Sequence, residues 1–354
     1  MAMPYSDDIS GFFKRFATVM FSARKAVFRE YCLLLRFPRG SDRFRRQFDY
    51  LGSLLDEMHK VFEQLVNDEL QGRAGLTYAI FDDSSIKKTG LCFEGEAVHH
   101  DSVSNTFFHG FKLACAAVYR AGKFGIVEAS VDYSSKMDAC KQAFTRLCNS
   151  ELSPDVFLFD AWYAAQELLT MIDQLGKIYI TRLKSNIIVD CNDEEIPLRA
   201  LARSIEHTEY ERIRVNKKTY WTIDILLTLK NYGKQRVIIS KNAVFADPVF
   251  LTTNSKNFST KSIVAIYLKR FIIEVFFKDA KQFLHLDTFQ CRTLQRWKTH
   301  FLVITILHWC VQTKKSISKT ILPIRHSIDK ITSYINKNQQ LQKITDELLL
   351  KCKT

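Results

Sequence analysis

In the run "YLKRFIIEVFFKDAK", residues 267–281, Tyr267, Arg270, Glu274 and Lys281 stand at successive offsets of three, four and seven. On an α-helix each residue turns by about 100°, so the four share one stripe roughly 60° wide. Ile266, Leu268, Phe271, Ile272, Val275, Phe276, Phe277 and Phe283 take up most of the remaining circumference. A helix apolar on nearly all sides is normally buried, and buried charges have to be paired, bonded or bound to a ligand. Two readings are open. Arg270 and Glu274 can form an internal pair at i, i+4 on a core helix, or the stripe can set one carboxylate among three phosphate-binding groups.

Two further acids stand at the ends of apolar runs: Asp82 after "YAIF" and Asp160 after "FLF". In sheets with helices packed on them, chemistry collects beyond the carboxyl ends of the strands. Each aspartate can instead cap a turn or a helix, and Asp160 is followed at once by a predicted helix, "AWYAAQELLTMIDQL". Glu274 lies where no cap is needed. Three carboxylates brought together repel one another unless a cation neutralises them. A hard divalent ion such as Mg²⁺ takes such oxygen ligands and leaves positions for water and phosphate. Two such ions serve in-line displacement at phosphorus, a reaction that asks the protein mainly for positioning and charge stabilisation.

The elements that must position these residues are legible in outline. Residues 1–72 read as a helical region, with a break at Pro38 and Gly40. The first fifty residues hold ten Lys and Arg against five Asp and Glu, which fits a DNA-binding module or a solvated helix face equally. From residue 73 strands take over: "LTYAIF" (76–81), two strands around "RAGKFG", and the wholly apolar "VFLF" (156–159). Residues 185–248 form a β-rich insertion, with "YERIRV", "TYWTIDILLTL" and "QRVIIS" as strands. Residues 249–310 return to "VFLTTN" and the helix that carries the stripe, with Ser259 or Thr260 as its N-cap. Residues 311–354 read as a basic helical segment, nine basic residues to three acidic.

The 354 residues suffice for a large core and more than one domain or subdomain. A net charge of +13 and a pI near 9.2 favour a polyanionic partner such as nucleic acid. Nine scattered cysteines without CxxC spacing suggest free thiols in a reducing compartment. The N-terminus lacks a signal-peptide pattern, and "FLVITIL" (301–307) is too short to span a bilayer. A soluble, cytoplasmic protein without membrane contact is expected. There is no Gly-rich phosphate loop to suggest a small-molecule enzyme. His99, His100 and Asp101 are expected to be a polar loop rather than a metal site, and Lys184 and Asn186 a solvated strand end or a track for DNA.

The spacing Tyr267, Arg270, Glu274, Lys281 resembles the Y-R-E-K signature of DDE transposases from a large group of bacterial insertion sequences. "FDDSSIKKTG" (81–90) resembles that group's first-aspartate segment, "FLFDAWYAAQELL" its second, and "VFLTTNS" the run-up to its signature helix. Together the matches cover roughly residues 76–310. The resemblance implies an α/β, RNase H-like fold, a mixed sheet flanked by helices, with the β-rich insertion lying within the 114-position gap from Asp160 to Glu274. It implies Asp82, Asp160 and Glu274 as catalytic metal ligands for two Mg²⁺ or Mn²⁺ ions. Asp83 competes for the first place, and Asp82 is preferred because it puts Ser84 two residues on.

Tyr267, Arg270 and Lys281 would hold the DNA backbone, with Lys87 and Lys88 beside the first ligand. The implied activity is cut-and-paste transposition: end cleavage, then strand transfer, by a homodimer joining terminal inverted repeats to target DNA. Some relatives cut through a DNA hairpin and hold a flipped base on a Trp in the strand before the signature helix. Here Phe250 is the only aromatic expected nearby. The rivals are a nuclease of the same fold without strand transfer, and an inactive transposon-derived DNA-binding protein.

Overall fold

The computed structural model describes residues 42–312, except 89–92, 102–103, 132–134 and 192–193, together with Phe12, Phe16, Ala17, Val19, Met20 and Tyr31. The predicted break at Pro38 and Gly40, and residues 313–354 of the basic segment, lie outside them. Helices α1 (Asp42–Ser53) and α2 (Leu55–Gln71) come first, then β1 (Tyr78–Lys87), β2 (Ala97–Asp101), β3 (Thr106–Arg120) and β4 (Lys123–Ser130). Next are α3 (Lys136–Cys148), β5 (Val156–Phe159), α4 (Gln166–Gln174) and β6 (Ile178–Leu183). Residues 185–248 contribute β7 (Ile188–Cys191), β8 (Glu194–Pro197), α5 (Leu198–Ser204), β9 (Glu211–Val215), β10 (Lys218–Leu229) and β11 (Gly233–Lys241). Strand β12 (Val249–Thr253) leads to α6 (Thr260–Tyr267), a 3₁₀ turn (Leu268–Arg270), α7 (Phe271–Phe283) and α8 (Leu294–Gln312).

The strands make one mixed sheet in the order β2-β3-β1-β5-β6-β12-β11-β10-β7-β8, with β4 also on β3 and β9 on β10. Strands β1, β5 and β6 run parallel, and β3 and β12 run antiparallel to them. The mixed sheet with flanking helices is the architecture expected of an RNase H-like chain. Strand β5 is apolar at every position and fully buried, as a central parallel strand covered on both faces must be. The β3–β4 hairpin turns on Ala121 and Gly122, at φ 47° and 84°, the two positive values of a type I′ turn. The strands of residues 185–248 extend this same sheet through the β11–β12 pairing. Helix α8 is buried along most of its length, with Trp297 and Trp309 each 1% exposed. Among the described residues no helix is long and apolar enough to cross a membrane.

Several local expectations are corrected. Strand β1 does not stop before the aspartates but continues through Asp82, Asp83, Ser84 and Ser85, each paired with β3. Helix α4 starts at Gln166, several residues after Asp160, so Asp160 does not cap it. The His99–His100–Asp101 stretch is strand β2, paired with β3, rather than a loop. Ser259 is the N-cap of α6, its Oγ accepting from Ser262 N at 3.2 Å. The signature helix is not continuous, because three residues tighten into the 3₁₀ turn. Nor is it buried all round: Phe271 is 41% and Val275 52% exposed.

Candidate active site

Side chains alternate across a strand, so Asp82 and Asp83 leave β1 on opposite faces. Asp82 looks toward α7. Arg270 Nη1 donates to Asp82 Oδ2 at 3.0 Å, and Arg270 Nη2 donates to Glu274 Oε1 at 2.6 Å. One guanidinium, only 5% exposed, thus joins an acid from the first strand to an acid from the signature helix, 192 positions later in sequence. Asp83 is taken up on the other face: Lys136 Nζ donates to its Oδ2 at 2.5 Å and Tyr163 OH to its Oδ1 at 2.6 Å.

Asp160 follows β5 directly and opens a turn in which Tyr163 N donates to its carbonyl at 3.0 Å. Its carboxylate acts electrostatically on both Tyr267 and Arg270. Tyr267 ends α6, buried, with Arg270 Cζ 5.8 Å from its ring centroid and 4.7 Å from that of Phe271, the two rings meeting edge-on at 6.3 Å. Tyr267, Arg270, Glu274, Asp82 and Asp160 therefore gather at the end of the sheet where β1 and β5 emerge. Lys281 stands one step along: its Nζ donates to the carbonyl of Ser85 at 2.9 Å and fastens the last turn of α7 to β1.

The electrostatics follow from burial. Desolvation raises the Asp82 pKa to about 6, with Asp83 and Glu274 adding to it and Arg270 opposing it. Burial works against the Arg270 charge, but Tyr267, Asp82, Glu274 and Asp160 together push its pKa above the ordinary guanidinium value. Burial raises Tyr267 to about 12. The Lys281 ammonium is lowered by burial. Arg270 Nε is buried with no hydrogen-bond partner. A buried donor left unmatched is costly unless a ligand completes it.

The donor set suits a hard divalent cation, since Asp82, Asp160 and Glu274 offer carboxylate oxygens alone. In this structure the Arg270 guanidinium supplies the positive charge between two of them. Among the described residues no three acidic, His or Cys groups are close enough to enclose an ion.

The two lysines named from sequence are engaged elsewhere. Lys87 pairs with Asp101 at 2.9 Å, and Lys88 donates to the carbonyls of Phe289 at 3.0 Å and Asp287 at 3.4 Å. Phe250 is 1% exposed and offers no face to a base. Sequence reasoning missed Lys136, which pairs with Asp83, Trp162, whose ring lies under the Lys136 ammonium at 5.1 Å, and Arg182, whose charge acts on Tyr267; none of them belongs to a spacing pattern. It also missed Phe245, fully exposed in the β11–β12 loop at the same end of the sheet. Only the run of loop-forming residues around Phe245 hinted at exposure.

Residues 75–310 match the family model described as the transposase DDE domain. No curated protein sequence matches the chain. Among solved structures it is similar to a piggyBac transposase synaptic complex with hairpin DNA, seen by cryo-electron microscopy, at a TM-score of 0.48 and 11% identity. That alignment covers 98% of this chain and 72% of the other. The NurA nuclease from Sulfolobus solfataricus aligns at a TM-score of 0.29 and 8% identity, over 80% of this chain and 96% of that one. At such scores neither likeness bears on the chemistry.

Proposed function

The chain belongs to the transposase DDE domain family, and from that premise we propose a cut-and-paste DNA transposase of the Y-R-E-K group, with Asp82, Asp160 and Glu274 as its acidic triad. The observation that carries the reading is the Arg270 bridge, which brings Asp82 and Glu274 together on one face while Asp83 is held on the other. The three acids would hold Mg²⁺ or Mn²⁺ as a pair of ions. When bound, such ions supply charge stabilisation and water activation for in-line displacement at phosphorus.

The chain's own residues do the rest. Arg270 releases its two carboxylates and turns its fork, including the unmatched Nε, to phosphate oxygens, which it matches bidentately. Tyr267 buttresses the guanidinium and keeps its hydroxyl protonated at neutral pH. Lys281 holds α7 against β1 and adds positive charge near the backbone of the transposon end. Lys87, half exposed and in a surface ion pair, is free to exchange Asp101 for phosphate. Lys88 is set in carbonyls and serves the fold. The partners are terminal inverted repeats and target DNA, joined by a homodimer acting on cytoplasmic DNA, with residues 1–72 as the candidate end-reading region and residues 185–248 as an insertion that extends the catalytic sheet.

The deciding experiment is cleavage of the DNA ends flanking this gene, in Mg²⁺ and in Mn²⁺, by wild type and Glu274→Gln. Specific nicking by wild type that disappears in Glu274→Gln, with end binding retained, is the expected result. Equal cutting by both would make Glu274 a structural residue. Binding by both with cutting by neither, even with paired ends and Mn²⁺, would leave an inactive end-binder.

A further inference from the structure

Arg270 stands between Asp82 and Glu274, where a divalent ion would need their oxygens. Its two terminal nitrogens hold one oxygen of each acid, at 3.0 and 2.6 Å. The guanidinium is already in place, whereas a hard ion has to shed water to enter. Giving up both acids would strand the arginine. It is buried, its Nε already lacks a partner, and the groups beside it are the rings of Tyr267 and Phe271. A buried charge deprived of its partners is costly. The free chain therefore resists metal loading through Arg270 itself.

The bridge is closed at one end and open at the other. The Asp82 side chain is 17% exposed and that of Glu274 48% exposed. Phe271 and Val275, next to Glu274 on α7, are open as well. A phosphate arriving from solvent thus meets the guanidinium from the Glu274 end. Each carboxylate takes a single bond from Arg270, whereas one phosphate can match its fork with two. Phosphate removes the cost of leaving the acids, and the acids become available as ligands.

Charge points the same way. Three carboxylates against one guanidinium leave the cluster negative, and a pair of divalent ions would carry it past neutrality. Anionic DNA restores the balance. The neighbouring lysines of the helix do not stand in for Arg270. Lys281 Nζ is bonded to the Ser85 carbonyl, and Lys269 Nζ lies over the rings of Tyr78 and Tyr119 at 5.4 and 5.1 Å.

We propose that Arg270 is a latch that makes metal loading depend on DNA. It holds Asp82 and Glu274 in the free chain and releases them when a phosphate of bound DNA takes the guanidinium. The proposal rests on the acidic triad named above. Metal and DNA then bind with positive coupling, which has the same size in both directions. A chain without DNA carries no loaded metal site.

The test is Mn²⁺ binding to the full chain, read from the paramagnetic resonance of the free ion. It is measured with the chain alone and with a duplex bearing the DNA end that flanks this gene. The duplex is already cut and 3′-deoxy-terminated so that no chemistry follows, ionic strength is matched, and binding to DNA alone is subtracted. Wild type should bind Mn²⁺ about 5- to 150-fold more tightly in the complex. Equal affinity in the two states would overturn the latch, and that comparison needs no variant. Arg270→Met keeps an apolar stem without the fork. It should bind Mn²⁺ more tightly than wild type when free and lose most of the gain on adding DNA; an unchanged gain would overturn the latch. Lys269→Met removes the same charge one residue away and should behave as wild type. Tightening as large as that of Arg270→Met would reduce the effect to general charge and also overturn it. Glu274→Gln should lose tight Mn²⁺ binding in both states. Wild-type binding in Glu274→Gln would overturn the triad, whereas its loss there with equal affinities in wild type would overturn the latch alone.

Discussion

At the scale of single residues, the adjacent acids Asp82 and Asp83 show how one strand divides labour between its faces. The sequence favours Asp82 only through the serine two places on, and the alternation of side chains adds a physical reason: Asp82 meets Arg270, whereas Asp83 is spent on Lys136 and Tyr163. Asp82→Asn is expected to abolish DNA cutting while leaving the melting temperature nearly unchanged or raised, because a desolvated carboxylate is removed. Asp83→Asn removes the charge that Lys136 and Tyr163 both use, and should cost about 1–3 kcal/mol. Urea denaturation of the two variants beside a nicking assay checks both, and the reverse pattern would exchange their roles. Arg270 invites a third measurement. Arg270→Ala leaves two acids uncompensated in a partly buried site, at a cost of roughly 3–5 kcal/mol. Added Mn²⁺ should restore more melting temperature to this variant than it adds to wild type. No greater gain would mean that the carboxylates do not share a cation.

At the scale of elements, the parts that sequence missed are those decided by tertiary pairing or by one extra degree of winding. "DDSS" has poor strand propensity, yet β1 runs through it because β3 supplies partners at every position as far as Gly110 opposite Lys87. The 3₁₀ turn at Leu268–Arg270 contains neither Gly nor Pro and so gives no warning. It turns about 120° per residue instead of 100°, which re-aims Arg270 relative to the straight-helix stripe. What the spacing did convey was company: Tyr267, Arg270 and Glu274 remain neighbours because an offset of three or four survives either winding. The same elements make Gly110 a sensitive point. It sits at φ +148°, and a Cβ there would fall 2.0 Å from the Ile86 carbonyl oxygen. Gly110→Ala should lose about 1–3 kcal/mol to backbone conformation alone, with the clash added to it. It should also unsettle the end of β1 that Lys281 grips, so that urea midpoint and cutting fall together. A variant as stable as wild type would show that the β1–β3 register can slide without loss.

At the scale of the whole molecule, the acidic site stands on a sheet whose rear support is α8, and that support is where proton uptake bears on stability. The alternating apolar runs announced the sheet, but nothing in "FLVITILHWC" distinguishes a buried histidine from a surface one. His308 packs between Phe276, which is on the signature helix, and Phe124 on β4, at ring separations of 4.8 and 6.0 Å. Burial lowers its pKa from 6.5 to about 4. His300, stacked on Phe289 at 3.9 Å, is lowered further by burial and by His285 and Lys88. Below pH 6.5 the unfolded chain accepts a proton at position 308 that the folded chain refuses until about pH 4, so stability falls as pH falls through that window. For His308 alone the loss is about 2 kcal/mol by pH 5. Asp82 acts in the opposite sense in the metal-free chain. With its pKa raised from 3.8 to about 6, the folded state takes up a proton first and gains stability as pH falls through 6. The two trends partly cancel in wild type, so the histidine has to be isolated by difference. Urea midpoints of wild type and His308→Gln at pH 7 and pH 5 provide that difference. The wild-type value should drop more between the two pH values, and equal drops would show that His308 already carries its proton inside the fold.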